Sequence, residues 1–117
     1  MSSVTIWHNP RCSKSRQGLA FLEESGASVD IIRYLDTPPT AEEIRSLLNK
    51  LGISAHELMR TKEAIYKELD LKNIHDEKKL IEAMAEHPKL IERPVFIMDG
   101  KAIIGRPPEK VIEFVKG

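Results

Sequence analysis

The segment of residues 4–16 constrains the fold more than any other part of this chain. It combines an apolar run, a break at Asn9-Pro10 and the only cysteine of the sequence, Cys12. This order predicts a short strand over residues 3–7, a tight loop, and a helix that begins just after Cys12. The first backbone N–H groups of a helix lack partners within it and carry partial positive charge. We therefore expect the Cys12 thiolate to be stabilised there, and the same N–H donors to suit an oxyanion.

Positive side chains surround Cys12 in the sequence. Reactive cysteines are found among such charges, whereas a structural cysteine is a small buried apolar group, and the neighbours favour the first interpretation. His8 either pairs with the thiolate and tunes its ionisation, or is a polar residue at a strand end without a role. The positive neighbours are His8, Arg11, Lys14 and Arg16.

Spacing excludes several chemistries that use cysteine. A tyrosine-phosphatase loop needs an arginine six positions after the cysteine, where this chain has Gly18. A thioredoxin-type dithiol needs a second cysteine at position 15, which is Ser15. One cysteine and four scattered histidines do not predict a metal site. What remains is a single reactive thiol, Cys12, whose partner thiol must come from outside.

Composition excludes broad classes of function. The 117 residues include 18 basic and 18 acidic side chains, so the net charge is zero and nucleic-acid binding is not expected. No apolar run is long enough for a membrane span, and no signal peptide is evident. We expect one domain over residues 1–117, monomeric, located in the reducing environment of the cytoplasm and not bound to a membrane.

The first part of the chain predicts a β-α-β unit. A helix is expected over residues 13–25, with Leu19, Ala20 and Leu22 toward the core, and a second strand over residues 28–34. Such a unit normally has parallel strands and a right-handed crossover.

The middle of the chain predicts a helical insert over about residues 40–90, made of about four short helices. Two capping boxes are expected to begin helices in it. The first joins Thr40 and Glu43, and the second joins Ser54 and Glu57.

The last part of the chain returns to strands. Residues 94–98 and 101–104 are predicted to form a hairpin around Asp99-Gly100, and a final helix is expected to open at Pro107. The predicted order is β-α-β, helical insert, β-β-α, an α/β fold with a mixed four-stranded sheet.

Three arginines, Arg60, Arg93 and Arg106, stand out by their positions next to predicted elements. Guanidinium groups are planar, permanently charged and suited to tetrahedral oxyanions, although a surface arginine is more often only a solvated charge. The Arg93–Pro94 peptide bond begins a strand and is a candidate cis bond.

Taken together, these motifs resemble the glutaredoxin-coupled arsenate reductase family over essentially the whole chain. The resemblance begins with His8-Asn-Pro-x-Cys12-Ser-x-Ser-Arg16. It continues with Tyr34-Leu-Asp-Thr-Pro38, Leu51-Gly-Ile53, Leu58-Met-Arg60, His87-Pro88, Ile91-Glu-Arg-Pro94 and Gly105-Arg-Pro107.

The resemblance implies a thioredoxin-like fold and a reaction mechanism for the reduction of arsenate. Cys12 would be the nucleophile toward arsenate, His8 would favour its thiolate, and Pro94 would be the cis-proline beside it. Electrons would come from glutathione and glutaredoxin, with no bound cofactor. The arsenic oxyanions would be held by Arg60, Arg93 and Arg106.

Residues 13 and 14 differ from the best-known members, which have Gly-Thr-Ser after the cysteine where this chain has Ser13-Lys14-Ser15, and this pattern resembles the chromosomal branch. We include Ser13, Lys14 and Ser15 among the predicted substrate-binding residues, and expect Ser13 and Lys14 to alter substrate preference. The alternative function is a non-catalytic or regulatory single-thiol protein of this fold, which would bind a protein partner and sense redox state through glutathionylation of Cys12. Regulators related to this family that bind RNA polymerase commonly carry a second cysteine, and Ser15 argues against that branch.

Overall fold

The computed structural model describes residues 3–116, in which helices and strands follow the predicted order. In chain order the elements are β1 (Ser3–Trp7), α1 (Ser13–Glu24), β2 (Ser28–Ile32), α2 (Ala41–Leu51), α3 (Ala55–Leu58), α4 (Ala64–Glu68), α5 (Glu77–Glu86), β3 (Val95–Met98), β4 (Lys101–Ile104) and α6 (Lys110–Lys116). Short 3-10 helices occupy Leu71–Asn73 and Pro88–Leu90.

The four strands form one mixed sheet in the order β2-β1-β3-β4. Strands β1 and β2 are parallel, which requires the crossover that α1 provides, whereas β3 is antiparallel to both β1 and β4. Side chains of the sheet and of α1 and α6 form the core around it. Its fully buried members are Val4, Ile6, Leu22, Phe96 and Val111. The predicted α/β class and mixed sheet are confirmed.

Helix α1 buries Leu22 as predicted, but two of its three buried residues were not predicted. Its buried residues are Ser15, Gly18 and Leu22, which are spaced three and four apart and so lie on one side of the helix. Ala20 is exposed, so its predicted core position was wrong, while Leu19 is partly buried against the core. The buried side is set by a glycine and a serine, residue types that hydrophobic periodicity does not single out.

Strand β2 is shorter than predicted because the chain turns after it. It ends at Ile32, and the carbonyl of Arg33 then accepts the N–H groups of Asp36 and Thr37. Tyr34, predicted to end the strand, is buried instead and stacks on Trp7 with ring centroids 6.4 Å apart.

The hairpin between β3 and β4 forms as predicted. Asp99 and Gly100 both have positive φ, 52° and 77°, which is the backbone conformation that a tight two-residue hairpin turn requires. The helix expected to open at Pro107 begins later, at Lys110, because turns precede it. The N–H of Lys110 donates to the carbonyl of Pro107 in one of these turns.

Within the described residues, those from Pro38 to Glu92 form a compact helical unit, and residues 3–37 and 93–116 form a compact α/β unit. Action of the whole chain as one domain stays a prediction. None of the helices within residues 3–116 has the length and apolar character needed to cross a membrane.

Capping in the helical unit follows the sequence at α2 but not at α3. The Thr40 hydroxyl accepts the Glu43 N–H at 3.2 Å, and the Glu43 carboxylate accepts the Thr40 N–H at 3.0 Å, so the first capping box is confirmed. The second was wrong, because the Ser54 hydroxyl donates to the Glu57 carboxylate rather than capping the backbone.

The N-terminus of α3 is capped instead from another helix. The Ala55 N–H donates to the carboxylate of Glu77 in α5, at 3.1 Å to its nearer oxygen. This carboxylate lies 22 residues further along the chain, so local sequence gave no sign of it.

Candidate active site

The loop that ends at the cysteine is fixed by hydrogen bonds from Asn9. The Asn9 carbonyl accepts the Cys12 N–H at 3.0 Å, and its side-chain oxygen accepts the Arg11 N–H at 3.0 Å. Arg16 reaches back from α1 and donates to the Pro10 carbonyl at 3.0 Å. An asparagine that bonds its own loop in this way stabilises a turn. The loop therefore places Cys12 as the N-cap residue of α1.

Cys12 is a free, partly exposed thiol with a lowered pKa. Burial alone would raise the pKa of this thiol, but hydrogen bonds from two backbone N–H groups, together with the charge and a side-chain hydrogen bond of Arg93, outweigh that effect. The backbone N–H of Ser15 lowers the pKa of Cys12 most, followed by the charge of the Arg93 guanidinium and the backbone N–H of Lys14. This is the effect expected of a helix N-terminus, and it makes the thiolate more abundant near neutral pH.

His8 is connected to Ser15. Its Nδ1 lies 2.7 Å from the Ser15 hydroxyl oxygen, which also accepts the Asn9 N–H at 3.0 Å. Both side chains are buried. This contact holds the Ser15 side chain beside the loop, and the predicted role of His8 toward the thiolate stays a prediction.

The surroundings of His8 favour its neutral form. Burial has the largest effect in lowering the pKa of His8, followed by the positive charges of Arg33 and Arg16, which outweigh the opposing effect of Glu23. A neutral imidazole suits a buried hydrogen bond to a serine hydroxyl.

Arg93 and Pro94 immediately precede β3, and the Arg93 guanidinium lies close enough to Cys12 to lower the pKa of its thiol. The Arg93–Pro94 peptide bond is cis, and the Pro94 carbonyl accepts the Gly105 N–H at 2.7 Å. Two guanidinium nitrogens of Arg93, Nε and Nη1, are buried without a hydrogen-bond partner. A buried donor left unpaired costs about 1–3 kcal/mol, so an anion that accepted these bonds would be strongly favoured.

Two glycines allow the close packing around Pro94. A Cβ at Gly18 would lie 2.7 Å from the ring of Phe96, and a Cβ at Gly105 would lie 2.5 Å from the same ring and 2.9 Å from Pro94. Sequence reasoning treated Gly18 only as a missing arginine and gave Gly105 no structural role. The Gly-Arg-Pro motif after β4 was the available signal.

The other predicted site residues occupy different positions. Arg106 follows β4, where its N–H donates to the Ile104 carbonyl, and the Arg106–Pro107 bond is also cis. Arg60 lies in the helical unit, just after α3. Its Nη1 is 3.5 Å from Glu63, and its Nε is 3.7 Å from Glu92. These two carboxylate partners were not predicted.

Residues 13–15 act here chiefly through their backbone. The Ser15 side chain is fully buried and turned to His8, so it is the N–H of Ser15 that faces the thiol. Ser13 and Lys14 are exposed, and the substrate contacts expected of their side chains stay predictions. In the part of the chain that the structure describes, no three His, Cys, Asp or Glu side chains form a possible metal site.

This geometry provides a nucleophile and charge stabilisation but no second thiol. A thiolate at a helix N-terminus, beside an arginine with unpaired donors, is suited to attack the central atom of an oxyanion. With one cysteine in the chain, any oxidised or substituted form of Cys12 must be restored by an external thiol.

Comparison with known proteins gives the family. Residues 7–114 match the ArsC family. The chain belongs to this family. It is 54% identical over 114 residues to the uncharacterized protein YfgD of Escherichia coli, covering 96% of each chain. It is 49% identical over 113 residues to an arsenate reductase of Neisseria meningitidis, covering 95% of this chain and 97% of that protein.

A solved structure of a related protein has the same fold. The fold of this ArsC-family chain matches that of an arsenate reductase from Vibrio cholerae with a TM-score of 0.93 and 50% identity, covering 96% and 97% of the two chains. The family and the thioredoxin-like α/β fold predicted from the sequence are confirmed.

Proposed function

We propose that this ArsC-family protein reduces arsenate to arsenite, with Cys12 as the nucleophile. The observation that carries the proposal is the pairing of a thiol of lowered pKa with two buried, unpartnered donors of Arg93. Relatives in Neisseria and Vibrio that are described as arsenate reductases support the choice of oxyanion.

The first step forms a covalent adduct without a change of oxidation state. The Cys12 thiolate attacks arsenic, an As–S bond forms, and one As–O bond breaks as hydroxide leaves and takes up a proton to become water. Negative charge on the remaining oxygens is stabilised by the unpaired donors of Arg93 and by the first N–H groups of α1. Arg60 and Arg106 are further proposed to hold substrate and product oxyanions.

The two electrons that convert arsenic(V) to arsenic(III) come from two external thiols. The glutathione thiolate attacks the Cys12 sulfur of the adduct, an S–S bond forms, and the As–S bond breaks with its electron pair left on arsenic, so that arsenite is released. A glutaredoxin thiolate then attacks the glutathione sulfur of the mixed disulfide, and Cys12 returns as a thiol. In sum, one arsenate and two thiols give one arsenite, one disulfide and one water. Glutathione is a reductant in this scheme, and no bound cofactor is required.

A reducing compartment fits this chemistry. Cys12 is a free, partly exposed thiol, a form that persists where glutathione keeps cysteines reduced. We therefore place the protein in the cytoplasm, and we propose that it works as a monomer that meets glutaredoxin transiently.

The test is arsenite production in a reconstituted mixture of protein, arsenate, glutathione and glutaredoxin. Turnover is expected to need both thiol components, each omitted in turn, and to be lost in Cys12→Ser. Equal turnover by wild type and Cys12→Ser would reject the mechanism. Circular dichroism of the variant controls for loss of the fold.

A further inference from the structure

The Ser15 hydroxyl joins the end of β1 to the first turn of α1. Its oxygen accepts the Asn9 N–H at 3.0 Å and lies 2.7 Å from Nδ1 of His8, and both of these residues follow β1 directly. Ser15 itself lies in the first turn of α1, so this oxygen bridges the strand end and the helix start. Between the two ends of the bridge runs the loop that carries Cys12.

This junction is shielded from water. Ser15 is fully buried, and His8 is 5% exposed. At such a position a lost hydrogen bond is not readily replaced by one to water, so the loss of a partner is costly. Removal of the Ser15 hydroxyl would take this partner from both the Asn9 N–H and the His8 ring nitrogen.

The surroundings of His8 give the Ser15 hydroxyl a preferred direction. Because the Ser15 oxygen already accepts a backbone N–H, its proton can be donated to Nδ1 of a neutral His8. Burial lowers the pKa of His8 most, and the nearby charges of Arg33 and Arg16 add to this effect. They outweigh the opposing charge of Glu23, so the neutral, accepting form of the imidazole is favoured.

The same serine carries a second donor, which faces the thiol. The backbone N–H of Ser15 forms a hydrogen bond with Cys12 that lowers the pKa of the thiol. The side chain and the N–H of Ser15 are attached to one Cα, so the contacts that hold the hydroxyl also fix the place of this donor. A hydrogen bond weakens steeply as its geometry departs from the preferred one, so the strength of the bond to Cys12 depends on these contacts.

We propose that Ser15 is a positioning residue, whose hydroxyl is held between His8 and Asn9 and thereby fixes the Ser15 N–H against the sulfur of Cys12. The inference rests on the proposed function, because it takes Cys12 as the nucleophile. It also accounts for a polar side chain on the buried side of α1, where an amphipathic helix normally has an apolar one.

The test measures the rate of Cys12 alkylation by iodoacetamide against pH for wild type and Ser15→Ala. Alanine keeps the Cβ and the backbone N–H, removes the hydroxyl, and adds no atom to the buried site. The profile of Ser15→Ala is expected to move to higher pH. At pH values below the pKa of the thiol, its alkylation should be about three- to tenfold slower than in wild type, the factor that corresponds to one hydrogen bond of ordinary strength.

A double-mutant cycle with His8 separates positioning from an independent effect of each residue. His8→Ala removes the other end of the same hydrogen bond. If Ser15 acts through this contact, Ser15→Ala slows alkylation much less in the His8→Ala background than in wild type. Independent effects would instead multiply.

Hydrogen exchange of the Ser15 amide gives a second measurement, which does not require Ser15→Ala to fold. If His8 holds Ser15, this amide should exchange faster in His8→Ala than in wild type, because the first turn of α1 is then less firmly fixed. Equal exchange in the two proteins would overturn the proposal.

Ser25→Ala is the matched control at the other end of α1. The Ser25 hydroxyl donates to the Leu22 carbonyl, so the substitution removes a serine hydrogen bond from the same helix without changing the loop. It is expected to leave the alkylation profile unchanged, even where its loss of stability is comparable with that of Ser15→Ala. Urea unfolding of every variant measures this loss and verifies that the fold is retained.

The outcomes of the alkylation experiment are distinct. An unchanged profile in Ser15→Ala would overturn the proposal, and so would effects of Ser15→Ala and His8→Ala that multiply in the double variant. A shift in Ser25→Ala as large as that in Ser15→Ala would also overturn it, because general loosening of α1 would then explain both. Absence of arsenate turnover in wild type, together with the expected alkylation shift, would reject the proposed reaction and leave the positioning role of Ser15 intact.

Discussion

Two arginines, one in each compact unit, have opposite surroundings. Arg93 has two buried guanidinium nitrogens without a partner, and its charge helps to lower the pKa of Cys12. Arg60 is 26% exposed and lies between the carboxylates of Glu63 and Glu92. Two donors of Arg93, Nε and Nη1, are therefore available to an anion, whereas the Arg60 guanidinium already has two carboxylate partners.

This contrast shows that the arginines of one predicted site need not contribute equally to the binding of an anion. Unpaired buried donors gain the whole hydrogen-bond free energy when an anion arrives, because no earlier partner is lost. A screened ion pair gains only the difference between the new partner and the old one. We expect Arg93 to dominate transition-state stabilisation and Arg60 to adjust affinity.

The largest effect is expected from Arg93→Ala. Removing these donors should lower kcat/KM for arsenate by about 10²–10³-fold, the usual loss for an oxyanion-stabilising group. Steady-state arsenite production with glutathione and glutaredoxin measures it. Arg93→Lys keeps the charge but not the planar pair of donors, and it should fall between wild type and Arg93→Ala. If Arg93→Ala lowered kcat/KM less than Arg60→Ala does, the inferred difference between the two arginines would be contradicted.

Packing around the cis-proline should also distinguish the two units. Gly105→Ala is expected to lower the free energy of unfolding by about 1–3 kcal/mol, because its Cβ would overlap the Phe96 ring and Pro94. Gly52→Ala in the helical unit is the matched comparison. It has a φ of +69° but nothing within 4 Å of its Cβ, so only backbone strain of about 1 kcal/mol is expected. Urea unfolding measures both, and a smaller loss at Gly105 would refute the prediction.

Local signals in the sequence predicted the fold well wherever the deciding contact lay within a few residues. The Thr40 capping box and the Asp99-Gly100 turn are of this kind, since each depends on residues at most three positions apart. The Ser54 capping box failed because the Ser54 hydroxyl donates to the Glu57 carboxylate, and the N-terminus of α3 is capped instead by Glu77 of another helix.

Two local features of the candidate site were predicted from the sequence, but the contacts between its residues were not. Cys12 at a helix start and Pro94 after a cis bond followed from their neighbours and from the family resemblance. The hydrogen bond between His8 and Ser15 and the ion pair between Arg60 and Glu92 depend on tertiary packing, which spacing along the chain does not encode. The structure adds the contact of His8 with Ser15, and the action of His8 on the thiolate stays a prediction.

Arg60→Ala is expected to have a moderate effect, a decrease in kcat/KM of about tenfold expressed mainly as a higher KM. The reason is that the guanidinium exchanges one set of anionic partners for another. Arg45→Ala, which removes an exposed arginine of α2 in the same unit, serves as the control for net charge. A decrease in kcat alone would mean that Arg60 acts in the transition state, as proposed for Arg93.

The smallest expected effect is on the pH dependence of the alkylation rate of Cys12. Because the pKa of Cys12 lies below its ordinary value, alkylation by iodoacetamide should stay fast at pH values where a free cysteine slows. Arg93→Ala removes a positive charge that favours the thiolate, so it should raise the pKa and move the rate profile to higher pH. Lys14→Ala should leave the profile in place, because the structure assigns the effect at position 14 to the backbone N–H, which alanine retains. A shift in Lys14→Ala as large as that in Arg93→Ala would mean that diffuse side-chain charge, rather than the helix N-terminus and one buried arginine, activates Cys12.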